Sequence, residues 1–371
     1  MIGLLRLFTM LLVMVILLTG CWSKAELNEG LFIDGIYLDK GQKEGEVQLS
    51  VSTFITAKLK EGEASGEPFA VITKSGDNIP DAFSSIQKDL TRQIDFSHVQ
   101  IVLVSEEYAK LGLGEMFDWF KREPGIELNT YILSVEGKAK DIAQMTPITE
   151  QLPADVFKRF SVQNYMLNST VKQCLIASES GMGFAMTALK YGDKKVASEN
   201  GETERWAGIK GVDVFGDRAL KGELNIDQGR AISWGLGKFR HQVYTVNWDE
   251  GRSKASVLLT RLRAKLIYKG EDEDGPLFKI VLKGRGNLRS SVESNAIILA
   301  LLEKKVIKDM EKALANTKEW GADVLNLGML MEWNSPKQWE SCKDWWAEVY
   351  RSKAKFEIGA NIAITNQGSM R

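Results

Sequence analysis

The chain of 371 residues carries nearly balanced charge, with 48 Lys and Arg against 49 Asp and Glu and a formal net charge of −1. This balance argues against a nucleic-acid-binding protein, which would be clearly basic. The length predicts two or three domains, and a hydrophobic content of 44% allows each of them to bury a core.

The N-terminal segment is typical of a lipoprotein export signal. Arg6 precedes an apolar run over residues 7–18, and Cys21 follows the small residues Thr19 and Gly20. This arrangement resembles the lipobox of bacterial lipoproteins, in which the cysteine receives a diacylglyceryl thioether and becomes the new N-terminus. We therefore expect the mature chain to be tethered outside the cytoplasmic membrane. An uncleaved transmembrane helix is the alternative, although the apolar run is shorter than the about 20 residues that such a helix needs.

After a short polar tether, strands alternate with helices up to about residue 145, which predicts an α/β layer. Asp77 or Asn78 can cap the first helix, and Pro80 falls in its first turn. The predicted strands cover residues 31–38, 46–59, 98–105 and 128–135, and the predicted helices cover residues 78–93, 106–111 and 115–122.

The middle of the chain is predicted to begin with helices and to end in strands. In order, the pattern predicts helices over 153–190 with an interruption at 178–183, a polar linker at 192–204, and strands from Trp206 onward that include 232–236 and 242–248. This segment is therefore expected to differ in organisation from the layer that precedes it.

The last third of the chain predicts a hairpin, two helices and a final strand. Alternation over residues 255–269 and 277–285 indicates a hairpin with one buried face and one wet face. The buried face is predicted to contain Leu258, Leu262, Leu266, Tyr268, Phe278, Ile280 and Leu282. Amphipathic helices are predicted at 294–316 and 336–350, and a strand at 354–364.

Together these elements predict an α+β, multi-domain protein of about three mixed α/β domains behind a signal peptide. The predicted boundaries are residues 1–20 for the signal peptide and residues 21–150, 151–250 and 251–371 for the three domains. No internal repeat or low-complexity tract is found in the sequence.

The wet face of the predicted hairpin is strongly basic. Its cationic residues are Arg261, Arg263, Lys265, Lys279, Lys283 and Arg285. On a tethered protein this face could meet anionic lipid headgroups or an acidic partner surface. A solvated strand face without a partner is the simpler alternative.

The sequence contains no motif for catalysis, cofactor binding or metal binding. The HExxH, GxSxG and GxxxxGK[ST] patterns are absent. His98 and His241 each open a predicted strand, where a structural hydrogen bond is the expected role. The acidic residues 271–274 before Gly275 have the wrong spacing for a calcium loop and are interpreted as a solvated turn. The sequence therefore favours a protein that is not an enzyme.

Cysteines and tryptophans each leave two interpretations open. Cys174 and Cys342 are interpreted as separate buried thiols, with a disulfide formed outside the cell as the alternative. Trp339 and Trp346 lie seven residues apart on one helical face. Core packing is their expected role, and a subunit interface is the alternative.

Short motifs behind the lipobox run through nearly the whole chain. They are residues 21–22, 26–28, 35–39, 98–99, 104–107, 109–110, 121–124, 211–215, 220–222 and 323–328, followed by Trp339, Trp345 and the final strand up to Gly368. In order and spacing they resemble the Ger(x)C spore germination lipoproteins, the C subunits of nutrient germinant receptors in spore-forming bacteria. Asp213 is a departure, since a small residue is usual at that position.

The resemblance implies an elongated, lipid-anchored subunit of three α+β domains on the outer face of the inner spore membrane. It implies two integral-membrane partner subunits, one of them similar to amino-acid transporters, and no known catalytic residue. We therefore expect a non-enzymatic subunit of a nutrient germinant receptor, anchored through Cys21. The alternative is an extracytoplasmic substrate-binding lipoprotein that delivers a small nutrient to a membrane transporter, which would need a pocket.

Overall fold

The computed structural model describes residues 30–55, 68–147, 150–163, 165–194, 204–290 and 295–366, together with the isolated residues 3, 6 and 10. Cys21, and with it the predicted lipid anchor, lies outside the described residues. Within the described ranges, no helix combines the length and the apolar composition needed to cross a membrane.

Nine of the described strands form the first sheet. They are β1 (Gly30–Lys40), β2 (Val47–Phe54), β3 (Phe69–Gly76), β4 (Gln93–Asp95), β5 (Ile101–Ser105), β6 (Tyr131–Val135), β7 (Phe184–Lys194), β8 (Glu204–Gly216) and β9 (Ala219–Leu224). Their order is β3-β2-β1-β5-β6-β7-β8-β9, and β4 pairs with the start of β1. The central strands β1, β5, β6 and β7 are parallel, and an antiparallel meander extends the sheet on each side.

Helices cover both faces of the central strands, which explains why β5 is apolar at successive positions. Ile36 and Leu38 of β1 face one side, and Tyr37 faces the other, where its ring meets Phe157. The helices are α1 (Ile79–Lys88), α2 (Glu106–Leu111), α3 (Gly114–Arg122) and α6 (Val171–Glu179) on the first side, and α4 (Ala139–Ala143) and α5 (Pro153–Val162) on the second.

Local sequence signals fix where several helices begin. The Asn78 side chain accepts a hydrogen bond from the backbone N–H of Asp81, and Pro80 lies in the first turn of α1. Helix α6 begins with a capping box formed by Thr170 and Gln173. The Asn78 cap and Pro80 confirm the predicted start of α1, although this helix ends at Lys88 rather than at residue 93.

The remaining described strands form a second sheet that helices cover on one face. The strands are β10 (His241–Trp248), β11 (Ser253–Asp272), β12 (Gly275–Ser290) and β13 (Lys355–Asn366). They pair in that order, antiparallel except for the parallel pair β12–β13. The helices are α7 (Ile226–Gly235), α8 (Asn295–Glu319), α9 (Leu327–Asn334), α10 (Pro336–Cys342) and α11 (Trp346–Ser352), with 3₁₀ turns at Asp249–Gly251 and Lys343–Trp345.

A continuous apolar core joins the two sheets. Segments on the two sides of this junction approach each other closely where the chain has glycine. A Cβ at Gly222 of β9 would lie 2.2 Å from the Trp320 ring. A Cβ at Gly183 would lie 2.8 Å from the Ala322 backbone. Helix α7 spans the junction, since Trp234 is fully buried and donates a hydrogen bond from Nε1 to the Arg263 carbonyl at 3.0 Å. The core is therefore shared between the sheets.

The predicted α+β class is confirmed, as are the hairpin, the long helix and the final strand. The helix predicted at 184–190 is wrong, because β7 begins at Phe184, and the strand predicted at 232–236 is wrong, because those residues extend α7. The helix predicted at 336–350 is broken into α10, a 3₁₀ turn and α11. The division into three domains stays a prediction; the first sheet continues past residue 150 through the β6–β7 pair.

Candidate functional site

The predicted basic residues lie on the face of the second sheet that is not covered by helices. Phe278, Ile280 and Leu282 of β12 point into the core, so the residues between them face outward. Arg261, Arg263, Lys265, Lys283 and Arg285 are exposed, and Lys279 is half-buried. We call these six residues the cationic face.

Strand register brings the cations of β11 and β12 together. Arg263 lies directly opposite Lys283, and Arg285 lies opposite Thr260. Like charges in directly opposed positions repel each other. Lys279 has a carboxylate at 3.9 Å, that of Glu357, while the other five cations have no carboxylate partner among the described residues. Five of the six charges of the cationic face are therefore not neutralised by any described carboxylate.

A β-bulge in β11 determines which residues face outward. The pairing of β11 with β12 shifts by one residue between Thr260 and Arg263, and Arg261 has a left-handed backbone with φ of 51°. Before the bulge Val257 and Leu259 are buried, whereas after it Leu262 is buried. The prediction that Leu258 shares a face with Leu262 is therefore wrong, because the extra residue reverses the alternation.

The far end of the same hairpin is acidic. Lys355 Nζ lies 2.6 Å from Asp272 Oδ1 and 3.5 Å from Asp274 Oδ2, at the turn between β11 and β12. Asp272 and Arg261 are eleven residues apart on β11, or about 36 Å at 3.3 Å per residue. The acidic turn is ion-paired and exposed, and the outer face has opposite charges at its two ends.

The two histidines lie on the surface. His98 Nδ1 is 3.0 Å from the hydroxyl of its neighbour Ser97, whose backbone N–H donates to Asp95, so the group forms one local turn. His241 is exposed beside the Tyr165 ring. Each histidine therefore has a local structural contact.

The two cysteines and the Trp339–Trp346 pair have the roles that the sequence predicts, as separate buried thiols and as core residues. Cys174 and Cys342 are buried and unpaired with each other. Trp339 and Trp346 are buried and their rings meet at 5.4 Å, as expected for core packing. Trp345 of the adjoining turn is exposed instead.

No motif in the sequence indicates the cluster of charged residues that the fold forms around Lys210. The Lys210 ammonium contacts the carboxylates of Glu106, Glu136 and Glu223, and Asp213 lies buried beside them. Burial alone would lower the pKa of Lys210, but hydrogen bonds to Glu223 and Glu106 outweigh it and raise that pKa. Burial raises the pKa of the Asp213 carboxyl to about 7. Residues 106 to 223 are distant in sequence, so only the fold brings this cluster together.

A cavity of about 240 Å³ lies where α6 and the start of β7 meet the segments that follow α7 and α8. Phe184 and Leu236 are among its apolar walls, while Lys238 and Asn326 contribute polar atoms. Burial lowers the pKa of Lys238, which has no carboxylate partner among the described residues. The cavity can therefore offer an unpaired amino group to a small molecule.

Comparison with known proteins covers both halves of the chain. The model of the spore germination protein N-terminal domain matches residues 23–189, and the model of the spore germination B3/GerAC-like C-terminal domain matches residues 210–368. The first match ends within β7 and the second begins within β8, so both segments contribute strands to the first sheet.

Two relatives from Bacillus subtilis match along almost their full length. Spore germination protein KC of Bacillus subtilis (strain 168) is 24% identical, with 97% of this chain and 95% of the relative covered. Spore germination protein B3 of the same strain is 22% identical, with 98% of each covered. The crystal structure of the GerBC protein superimposes with a TM-score of 0.58 at 19% identity, covering 90% of this chain and 97% of that one.

Proposed function

Because the chain belongs to the Ger(x)C family of spore germination proteins, we propose that it is a non-enzymatic, lipid-anchored subunit of a nutrient germinant receptor. The observation that carries this proposal is the family match over both halves of the chain. In this role Cys21 anchors the protein to the outer face of the spore inner membrane. The folded body then assembles with two integral-membrane subunits, and the complex is required for nutrient-triggered germination.

The anchor is tested in spores of the native host that carry Cys21→Ala in place of the wild-type chain. We expect the variant to leave the membrane fraction, to lose co-purification with the integral-membrane subunits and to abolish the nutrient response. The matched control is Cys342→Ala, which removes a thiol without touching the lipidation position. Normal germination by a strain whose protein is entirely soluble would contradict the proposal.

The cationic face supplies a second contact with the membrane in this proposal. Eight residues lie between Cys21 and Gly30, and the nine residue-to-residue steps span at most about 30 Å. The folded body is thus held near lipid headgroups, where each Lys or Arg at an anionic surface contributes about 1 kcal/mol. Because the hairpin turn is acidic, the favoured orientation places the cationic face on the anionic lipids and the turn away from them.

Vesicle sedimentation tests this contact. We expect the double variant Arg263→Glu/Lys283→Glu to bind phosphatidylglycerol vesicles more weakly than wild type, with the difference disappearing at about 1 M salt. Lys304→Glu/Lys308→Glu makes the same charge change on the exposed side of α8 and serves as the control. Equal loss in both variants, or none in either, would show that the cationic face does not contact lipid.

The cavity beside Lys238 favours a second candidate, a substrate-binding lipoprotein that delivers a small nutrient to a transporter. An unpaired ammonium at Lys238 with apolar walls suits a small carboxylate-bearing molecule. The volume of about 240 Å³ lies below the range of about 300–1,000 Å³ that is usual for such sites. Isothermal titration with amino acids separates the candidates: saturable binding that Lys238→Met abolishes would favour this one.

A further inference from the structure

The cluster around Lys210 contains more negative charge than its single ammonium can neutralise. Lys210 Nζ lies 2.7 Å from Glu223 Oε2, 3.0 Å from Glu106 Oε1 and 3.6 Å from Glu136 Oε2. The Asp213 carboxyl is a fourth acidic group at the same place. Four carboxyl groups therefore surround one lysine.

Asp213 is the member of the cluster that lacks a partner. Its side chain is only 1% exposed, and neither carboxylate oxygen accepts a hydrogen bond of good geometry from a described residue. The nearby Ser134 hydroxyl favours the charged form, although its hydrogen bond is made to the Thr187 carbonyl at 3.5 Å. A buried carboxyl group without a partner is costly unless a proton or a cation joins it. This orphaned group therefore points to a positively charged ligand.

A β-bulge places Lys210 and Asp213 in one cluster. The pairing of β7 with β8 shifts at Ala188 and Leu189, so that Lys210 is the additional residue on β8. Residues three apart on a regular strand face opposite sides of a sheet, and a bulge reverses that relation. The cluster is thus fixed by backbone geometry.

The spacing of the acidic oxygens suits a hard divalent cation. One carboxylate oxygen from each of Glu106, Asp213 and Glu223 lies within 4.8 Å of the other two. Oxygens that share one Ca²⁺ at about 2.4 Å are at most about 4.8 Å apart. Donor sets made only of carboxylate oxygens select Ca²⁺, Mg²⁺ or Mn²⁺ over softer metals.

We propose that Glu106, Asp213 and Glu223 bind a calcium ion, and that the Lys210 ammonium moves to Glu136 when the ion enters. Glu136 is already 3.6 Å from the ammonium and is half exposed, so it can keep the displaced charge paired. Water completes the coordination, since Ca²⁺ takes six to eight oxygens. The site joins residues from both family-matched segments, so the ion would also fasten α2 to β8 and β9.

Isothermal titration of the full-length protein in detergent with CaCl₂ tests the proposal. We expect one saturable site with a Kd of about 0.1–1 mM, as for weak calcium sites with few protein ligands. Asp213→Asn should weaken binding at least about tenfold because it removes a charged ligand. Glu136→Gln keeps all three ligands but removes the acceptor of the displaced ammonium, so it should weaken binding by a smaller factor, about threefold. Asp274→Asn controls for binding at the acidic turn and should leave the affinity unchanged.

Lys210→Met provides a variant whose expected result cannot arise from misfolding. It removes the ammonium that competes with the ion, so the affinity for Ca²⁺ should rise at least about threefold, and bound ion should raise the melting temperature further. The proposal is overturned if neither wild type nor Lys210→Met shows saturable binding below about 10 mM Ca²⁺. Unchanged affinity in Asp213→Asn would overturn it as well.

Discussion

Asp323 holds together two segments of the C-terminal region with a single carboxylate oxygen. Oδ2 accepts hydrogen bonds from the Gly328 backbone N–H at 2.8 Å and from Trp346 Nε1 at 3.0 Å. The carboxyl is 1% exposed; burial raises its pKa, and these hydrogen bonds oppose the rise. One residue thereby fixes the start of α9 against α11.

Asp323→Ala is expected to lower the free energy of unfolding by about 2–5 kcal/mol, because it leaves two buried donors without an acceptor. Asp323→Asn keeps an acceptor oxygen and should cost about 1 kcal/mol. Urea denaturation followed by tryptophan fluorescence measures both. Equal losses in the two variants would show that packing, and not the hydrogen bonds, stabilises this contact.

Asp34 makes a different contribution, one that depends on pH. It occupies a bulge in β1, accepts a hydrogen bond from Ser52 Oγ and has no described partner for Oδ2. Burial raises the pKa of its carboxyl, the Ser52 hydrogen bond opposes the rise, and the charge of Asp155 adds to it. The folded state therefore holds a proton at pH values where the unfolded chain has released it.

Because the pKa of Asp34 is higher in the folded state than in the unfolded chain, its contribution to stability is complete below about pH 4. That contribution is lost as the pH rises through the folded-state pKa. Asp34→Asn removes this ionisation. We expect its free energy of unfolding to depend less on pH than that of wild type above pH 4, by at most about 1.4 kcal/mol per pH unit. Denaturation midpoints from pH 4.5 to pH 8 test this, and parallel curves for the two proteins would contradict it.

The β-bulges limited what the sequence could predict about the strands. The alternation of apolar and polar residues predicted β11 and β12 correctly. It also placed five of the six basic residues on the outer face, where these strands are regular. It misplaced Leu258 because one extra residue near Arg261 reverses the pattern, and no residue type announces that bulge. The sequence could not predict the Lys210 cluster, because the cluster depends on a bulge in β8 and on the pairing of strands from both halves of the chain.

The spacing of apolar residues predicted the buried side of α8 correctly. Ile298, Leu302, Val306, Met310 and Leu314 are all buried on one side of α8, as their spacing predicts. Ile232, Trp234 and Leu236 place apolar side chains at alternate positions, a pattern that favoured a strand. Their helical state is favoured by the capping box of Asn225 and Gln228 at the start of α7.

Lys283→Glu is expected to stabilise the second sheet while weakening its function. It replaces a like-charged cross-strand pair with Arg263 by an oppositely charged one, which should add about 0.5 kcal/mol to the free energy of unfolding. The same change removes a cation from the proposed lipid contact. Urea denaturation and vesicle sedimentation of one preparation measure both effects. Lys308→Glu, which has no cross-strand partner, should show neither.

The core that the two sheets share predicts that they unfold together. Gly222→Ala is a test, because its Cβ would overlap the Trp320 ring, and overpacking of this kind costs about 1–3 kcal/mol. We expect one transition, shifted to lower temperature, in both circular dichroism and tryptophan fluorescence. Gly359→Ala, where a Cβ meets open space, is the control. Separate transitions would favour the predicted division into independent domains.

Strand β1 is the first described element after the predicted tether, and it lies inside the first sheet with partners on both sides. A pull on the chain ahead of Gly30 acts along this strand, so it loads the hydrogen bonds to β2, β4 and β5 in shear, many at once. An edge strand in the same place would peel away bond by bond. A body fastened through this end is therefore built to withstand tension between itself and the surface that holds it.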